Sequence, residues 1–188
     1  MKKEPIIFTP EEIAKHETQR KLYMPNRIKV LFIAESPPER GYFYETEKSL
    51  KDSLIKSIIM AKRMKFDENF EKNKLTKDLK ESYLKELKET GWHLIDAVDD
   101  MCIAGMHQNK KKEIIGREDH IGNLKKRIDE FKSKDIINSE TKIILISATV
   151  YQVLHDKIKI TNTKQINFPF FSIEKTAKAI KELLEDKL

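Results

Sequence analysis

The apolar residues of this chain recur with two different periods. Ile28 begins an alternation that becomes the unbroken run Val30-Leu31-Phe32-Ile33-Ala34, the pattern of a strand buried on both faces of a parallel sheet. His93-Leu94-Ile95-Asp96-Ala97-Val98 is a second, weaker strand followed by two acids, Asp99 and Asp100, and Lys142-Ile143-Ile144-Leu145-Ile146-Ser147 is the clearest strand after the first. Gln165-Ile166-Asn167-Phe168 predicts a fourth, short one. Helical spacing fills the intervals. Leu50, Leu54, Ile55, Ile58, Ile59 and Ala61 share a face between Glu45 and about Met64, as do Leu79, Tyr83, Leu84 and Leu87 between about Thr76 and Thr90. Gly91 stands where a helix end favours a positive φ.

The segment Met101 to Gly122, with its glycines and the basic run Lys110-Lys111-Lys112, reads as a long and partly irregular connection before a helix from about Asn123 to Lys132. Ala148 to His155 starts another helix, and Ser172 caps a last one carrying Ile173, Ala177, Ile180, Leu183 and Leu184. Thr9-Pro10-Glu11-Glu12 is a capping signature for a polar N-terminal helix to about Lys21, which Pro25 and Asn26 end. The charged stretch Asp67 to Lys77 reads as a surface connection. The order predicts an α/β protein, a three-layer α/β/α sandwich around a four-stranded, mostly parallel sheet. It forms one domain over residues 1–188, with residues 1–24 as a helical extension.

Composition adds bounds. With 188 residues, 39% apolar and 36% charged, the chain is long enough for one core. The net charge of +6 and pI near 9.1 suit a polyanion such as nucleic acid, or a solvated basic surface. The single cysteine, Cys102, excludes an intramolecular disulfide and any all-cysteine metal or iron-sulfur site, and fits a reducing compartment, the cytoplasm. No apolar run nears the roughly 18 residues of a membrane span, and the start Met1-Lys2-Lys3-Glu4-Pro5 leads into too short an apolar patch for a secretory signal.

In a parallel sheet the ligand crevice lies outside the carboxyl ends of the strands. Those ends carry Glu35, Asp96 with Asp99, Ser147, and Phe168-Pro169-Phe170. Glu35, on a turn stiffened by Pro37 and Pro38, either caps the next helix or pairs with Arg40, or serves as a general base. Tyr42, Phe43 and Tyr44 follow, more aromatic surface than packing one sheet edge needs and suited to stacking on a nucleobase. Ser172 and the last helix's N-terminus offer an anion site, and Lys110, Lys111 and Lys112 would track a phosphate backbone. No Walker loop or glycine-rich dinucleotide fingerprint follows a strand. His93, His107, His120 and His155 lack metal-ligand spacing, and His16 lies on a polar helix as a solvated side chain, so neither metal nor cofactor is expected.

The stretch Val30-Leu31-Phe32-Ile33-Ala34-Glu35-Ser36-Pro37-Pro38 resembles the first motif of the uracil-DNA glycosylase superfamily, in which a strand ends in a turn of the Gly-Glu-x-Pro-Gly or Gly-Gln-Asp-Pro-Tyr type. The resemblance spans about residues 25 to 188 and implies a sheet of order 2-1-3-4. Glu35 falls on the position that handles the attacking water and Pro37 on the motif's proline. Phe43 or Tyr44 falls on the aromatic that stacks on a flipped base, with Phe43 the better match, and Asp96 on the position where many members read uracil with asparagine. Ala34 replaces the motif's glycine, Phe168-Pro169-Phe170 stands in place of His-Pro-Ser, and the four cysteines of the iron-sulfur members are absent. A missing oxyanion stabiliser costs about 3 to 4 kcal/mol, so an enzyme of this kind would be slow, act on another base, or use His93 or Ser172 instead.

The resemblance implies a monomeric nucleic-acid-binding protein that hydrolyses the N-glycosidic bond of a flipped, deaminated or damaged base. Its partner would be DNA, or a free nucleobase or nucleotide. Alternatives are a non-enzymatic nucleic-acid- or nucleotide-binding member of the same fold and an unrelated flavodoxin-like module for a small phosphorylated ligand.

Overall fold

The computed structural model describes residues 4–47, 52–63, 75–155, 157–158, 163–166 and 172–185. Strand β2 (Val30–Ala34; β1 is described below) is its centre, because all five of its side chains are buried. It pairs in parallel with β3 (Trp92–Asp96), Val30 opposite Trp92 and Ala34 opposite Asp96, and on its other edge with β5 (Lys142–Ile146). The short β6 (Thr163–Ile166) lies parallel beyond β5, giving the spatial order β3-β2-β5-β6.

Strand alternation divides the apolar residues between two cores. Val30, Phe32, Leu94, Ile144 and Ile146 face helices α2 (Ser53–Arg63), α3 (Lys77–Thr90) and α7 (Ile173–Glu185). Leu31, Ile33, Ile95, Ile143 and Leu145 face α4 (Gln108–Ile115), α5 (Glu118–Ser133) and α6 (Ala148–Leu154). The protein is therefore mixed α/β with helices on both faces of a parallel sheet, which explains why its central strands read as continuous apolar runs.

Two regions differ from the sequence expectation. The connection expected from Met101 to Gly122 contains strand β4 (Met101–Cys102), all of α4 and the first turn of α5. Ile121, Leu124, Ile128 and Phe131 form one buried stripe that carries the helix through Gly122, where an added Cβ would meet nothing within 4 Å. This glycine costs the helix about 1 kcal/mol in propensity, less than the burial of that stripe contributes.

The second difference is the N-terminus. Helix α1 (Pro10–Leu22) starts with a capping box in which Thr9 Oγ1 accepts from Glu12 N–H at 3.2 Å and Glu12 Oε2 accepts from Thr9 N–H at 2.8 Å. The segment before it is sewn into the domain: β1 (Ile6–Ile7) pairs antiparallel with β4, and Phe8 N–H donates to the Asp100 carbonyl at 2.9 Å. Residues 4–24 are thus built into the molecule rather than appended to it. The helix expected from Glu45 begins at Ser53 in the described part; residues 48–51, most of the 67–77 connection, and Asn167 and Phe168 of the expected last strand lie outside the described residues. Among the described residues, no helix is long and apolar enough to cross a membrane.

Candidate functional site

Strand β2 leaves the sheet at Glu35. The turn is tied to its neighbours: Ala97 N–H donates to the Ala34 carbonyl at 2.8 Å, Val98 N–H to the Glu35 carbonyl at 3.1 Å, and Ile103 N–H to Ser36 Oγ at 3.1 Å. Both carboxylate oxygens of Glu35 are engaged. Oε2 accepts from Lys111 Nζ at 2.6 Å, and Oε1 from Ser147 Oγ at 2.9 Å. This partly buried Glu35–Lys111 pair replaces the expected alternative of a pair with Arg40. Ser147, the cap of α6, has φ 102°, and its Oγ also accepts from Val150 N–H at 3.2 Å. A non-glycine residue held in that region stores strain, a condition that clusters at ligand sites. A carboxylate has about four lone-pair directions, so Glu35 still has capacity for a water or a ligand donor.

Asp96 occupies the same row of the sheet as Ala34, one strand over. It is 2% exposed, and its Oδ2 has no hydrogen-bond partner among the described residues. Burial, reinforced by the charge of Asp99 and opposed by Arg20 and Arg127, pushes its carboxyl up to about 7. Glu35 and Asp96 open into one cavity of about 550 Å³ that Tyr42, Phe43, Arg40 and Lys111 also line. A cavity of that size accommodates a nucleoside or a small cofactor.

Tyr42 and Phe43 reach this cavity as parts of its wall rather than as free rings. Tyr42 packs against His16 with ring centroids 4.2 Å apart and the planes tilted by 31°, and Phe43 meets Tyr44 edge-on at 4.9 Å. Tyr44 is turned into the core and does not line the cavity. Its hydroxyl accepts from Leu94 N–H at 2.8 Å, donates to the Leu94 carbonyl at 2.9 Å, and lies 3.1 Å from His93 Nδ1. The tautomer that satisfies all three contacts carries the His93 proton on Nδ1. This removes Tyr44 from the expected stacking set and makes His93 a core residue, away from the cavity.

Of the basic run, Lys111 alone lines the cavity. Lys110 pairs with Glu113 at 2.8 Å on the surface of α4, and Lys112 lies outside the cavity wall. Ser172 Oγ accepts from Lys175 N–H at 3.2 Å as the cap of α7, and it too is absent from the cavity wall. Phe168 lies outside the described residues.

Sequence reasoning missed the charged network behind Asp96. Arg20, 4% exposed on a helix that reads as polar, donates to Asp99 Oδ1 at 2.9 Å and to Glu17 Oε2 at 2.6 Å, and Arg127 meets Asp99 Oδ2 at 2.6 Å. Those two guanidinium groups outweigh burial and hold the Asp99 carboxyl below its ordinary range. Asp99 therefore carries a structural ion network while Asp96 faces the cavity. The only sequence signal was the Glu17-Arg20 spacing, which is common on exposed helices. His16, expected in solvent, packs between Phe8 and Tyr42, and burial pushes its imidazole down. Among the described residues, no cluster of three or more histidine, cysteine or acidic side chains is arranged to hold a metal ion.

Comparison with protein-family models, with curated proteins and with solved structures gives no match.

Proposed function

We propose that this protein takes a nucleobase, either flipped out of a nucleic acid or as a free nucleotide, into the cavity at the carboxyl edge of its sheet, and hydrolyses its N-glycosidic bond as a cytoplasmic monomer of uracil-DNA glycosylase-like architecture. The observation that carries the reading is that Glu35, Phe43 and Asp96 line one cavity. The strand order β3-β2-β5-β6, with helices on both faces, supports the architecture.

In this reading Phe43 meets the base face, Asp96 the base edge, and Lys111 with Arg40 supplies positive charge toward a phosphate. Glu35 accepts a proton from the water whose oxygen forms the new bond to C1′ as the C1′–N bond breaks; the bond's electron pair leaves with the base, which takes up that proton and regenerates the carboxylate. Lys111 holds the Glu35 carboxylate in position for that task by direct pairing at 2.6 Å.

The test is incubation of the protein in molar excess with single- and double-stranded oligonucleotides carrying uracil, hypoxanthine or xanthine. Abasic product is expected from at least one, with a rate lower by a hundredfold or more in Glu35→Gln. No product from any of them would sink the hydrolytic claim. A second reading, base or nucleotide binding without turnover, is favoured by the engagement of both Glu35 oxygens. It requires salt-dependent binding that survives Glu35→Gln unchanged.

A further inference from the structure

The cavity's most unusual group is Asp96. A buried carboxylate ordinarily has donors, because leaving it unpaired costs several kcal/mol. Here Arg20 and Arg127 give hydrogen bonds to Asp99 and Glu17, and Asp96 Oδ2 has no partner among the described residues, although Arg20 Nε, Arg127 Nη1 and the Tyr42 hydroxyl are buried without one as well. Glu35, by contrast, has a donor on each oxygen. Of the three acids in the cavity wall, Glu35 and Asp52 each pair with a lysine, Lys111 and Lys80, and Asp96 has none.

An ionised carboxylate presents acceptors only, so the edge that completes it carries two adjacent N–H groups. Uracil offers one N–H flanked by carbonyls, adenine and cytosine offer one amino group beside a ring acceptor, and hypoxanthine offers one N–H beside a C–H. Guanine offers N1–H next to the N2 amino group, and a guanine altered at its five-membered ring keeps that edge.

We infer that the base this cavity selects is guanine, or a guanine damaged away from its N1–N2 edge, bound through both of those donors to Asp96 with Phe43 in the surrounding wall. The inference rests on the nucleobase reading above and names the base class that reading leaves open.

The test is equilibrium binding, by calorimetry at pH 8, of guanosine, inosine, uridine and adenosine to the intact protein, with no turnover required. Inosine differs from guanosine only by the missing N2 amino group, so guanosine is expected to bind at least tenfold more tightly than inosine. Asp96→Asn is expected to bring the two within about threefold of each other. That result, or the wild-type preference alone if the variant does not fold, supports the inference. Inosine or uridine binding as tightly as guanosine would overturn it while leaving a nucleobase cavity standing, as would a guanosine preference that survives in a folded Asp96→Asn protein. If none of the four binds at millimolar concentration, both this inference and the nucleobase reading fall. Guanosine selectivity without abasic product from oligonucleotides carrying guanine or a guanine altered at its five-membered ring would retain the inference and discard hydrolysis alone.

Discussion

His93 and Asp96 stand three residues apart on one strand, both fully enclosed, and burial moves them in opposite directions. Burial, with Arg20 and Arg127 nearby, pushes the His93 imidazole down to about 3. In the unfolded chain it titrates near 6.5. As pH falls below that value, the unfolded chain gains a proton that the fold refuses, so stability present above pH 6.5 is lost toward pH 3. Replacing His93 by Gln should remove this loss. Urea unfolding between pH 6.5 and 4 should then show the variant losing less stability than the parent by on the order of 3 kcal/mol; parallel curves would refute it. For Asp96, raised to about 7 by burial, the sign reverses. The unfolded carboxyl ionises near 4 while the folded one keeps its proton to about 7, so its contribution is complete below pH 4 and is lost as pH rises through 7. Asp96→Asn should stabilise the protein, and the gain should grow by about 3 kcal/mol from pH 5 to pH 8, read by the same unfolding measurement. Stability given up at neutral pH by an acid without donors is what a ligand bringing donors would restore.

At the scale of elements, periodicity was informative where a strand or helix buries a continuous stripe and silent where pairing alone makes the element. The run Val30 to Ala34 and the stripe of α3 could be read directly because each residue's environment repeats along its element. Strands β1 and β4 have two residues each, too few to show a period, and α4 buries little beyond Ile114 and Ile115. That α4 delivers Lys111 to Glu35 across 76 positions of sequence is a tertiary fact with no local signature. Glu35 and Asp96 were legible as site residues because strand ends in a parallel sheet converge; the turning of Tyr44 inward was not, because three adjacent aromatics look alike until their partners are known. The turn at Gly91 was legible too, and it is exacting. Its φ of 79° and the 2.8 Å from a would-be Cβ to the Arg27 carbonyl leave no room for a side chain. The same residue's carbonyl accepts from Lys29 and Val30 N–H, coupling the end of α3 to the start of β2. Gly91→Ala should therefore cost at least 1 to 2 kcal/mol, seen as a lower urea midpoint with an unchanged slope. A variant as stable as the parent would contradict the close approach.

For the molecule as a whole, the decisive question is whether the first 24 residues are dispensable. Sequence pattern alone makes them an extension, since α1 shows no apolar stripe. The structure gives them several attachments, one of them to the cavity wall at Tyr42. Strand β1 pairs with β4, directly after Asp99 and Asp100; His16 packs on Tyr42; and Arg20 shares Asp99 with Arg127. Removing residues 1–24 would expose Tyr42, leave Asp99 balanced by Arg127 alone, and strip the nearby positive charge that opposes the upward push on Asp96. Breaking one member out of a buried ion network costs about 3 to 5 kcal/mol by itself, a large share of the 5 to 15 kcal/mol typical of a whole domain. The truncated chain should thus fail to show a cooperative thermal transition, and Arg20→Met in the full chain should fold with its stability lowered by about 3 kcal/mol. The alternative of a detachable extension predicts that the truncated protein melts cooperatively within a few degrees of the parent. Circular dichroism melting of the two proteins beside the parent separates these outcomes. A cooperative truncated domain would mean that the cavity wall stands without α1, and that the network around Asp99 contributes to the placement of Asp96 far less than its geometry requires.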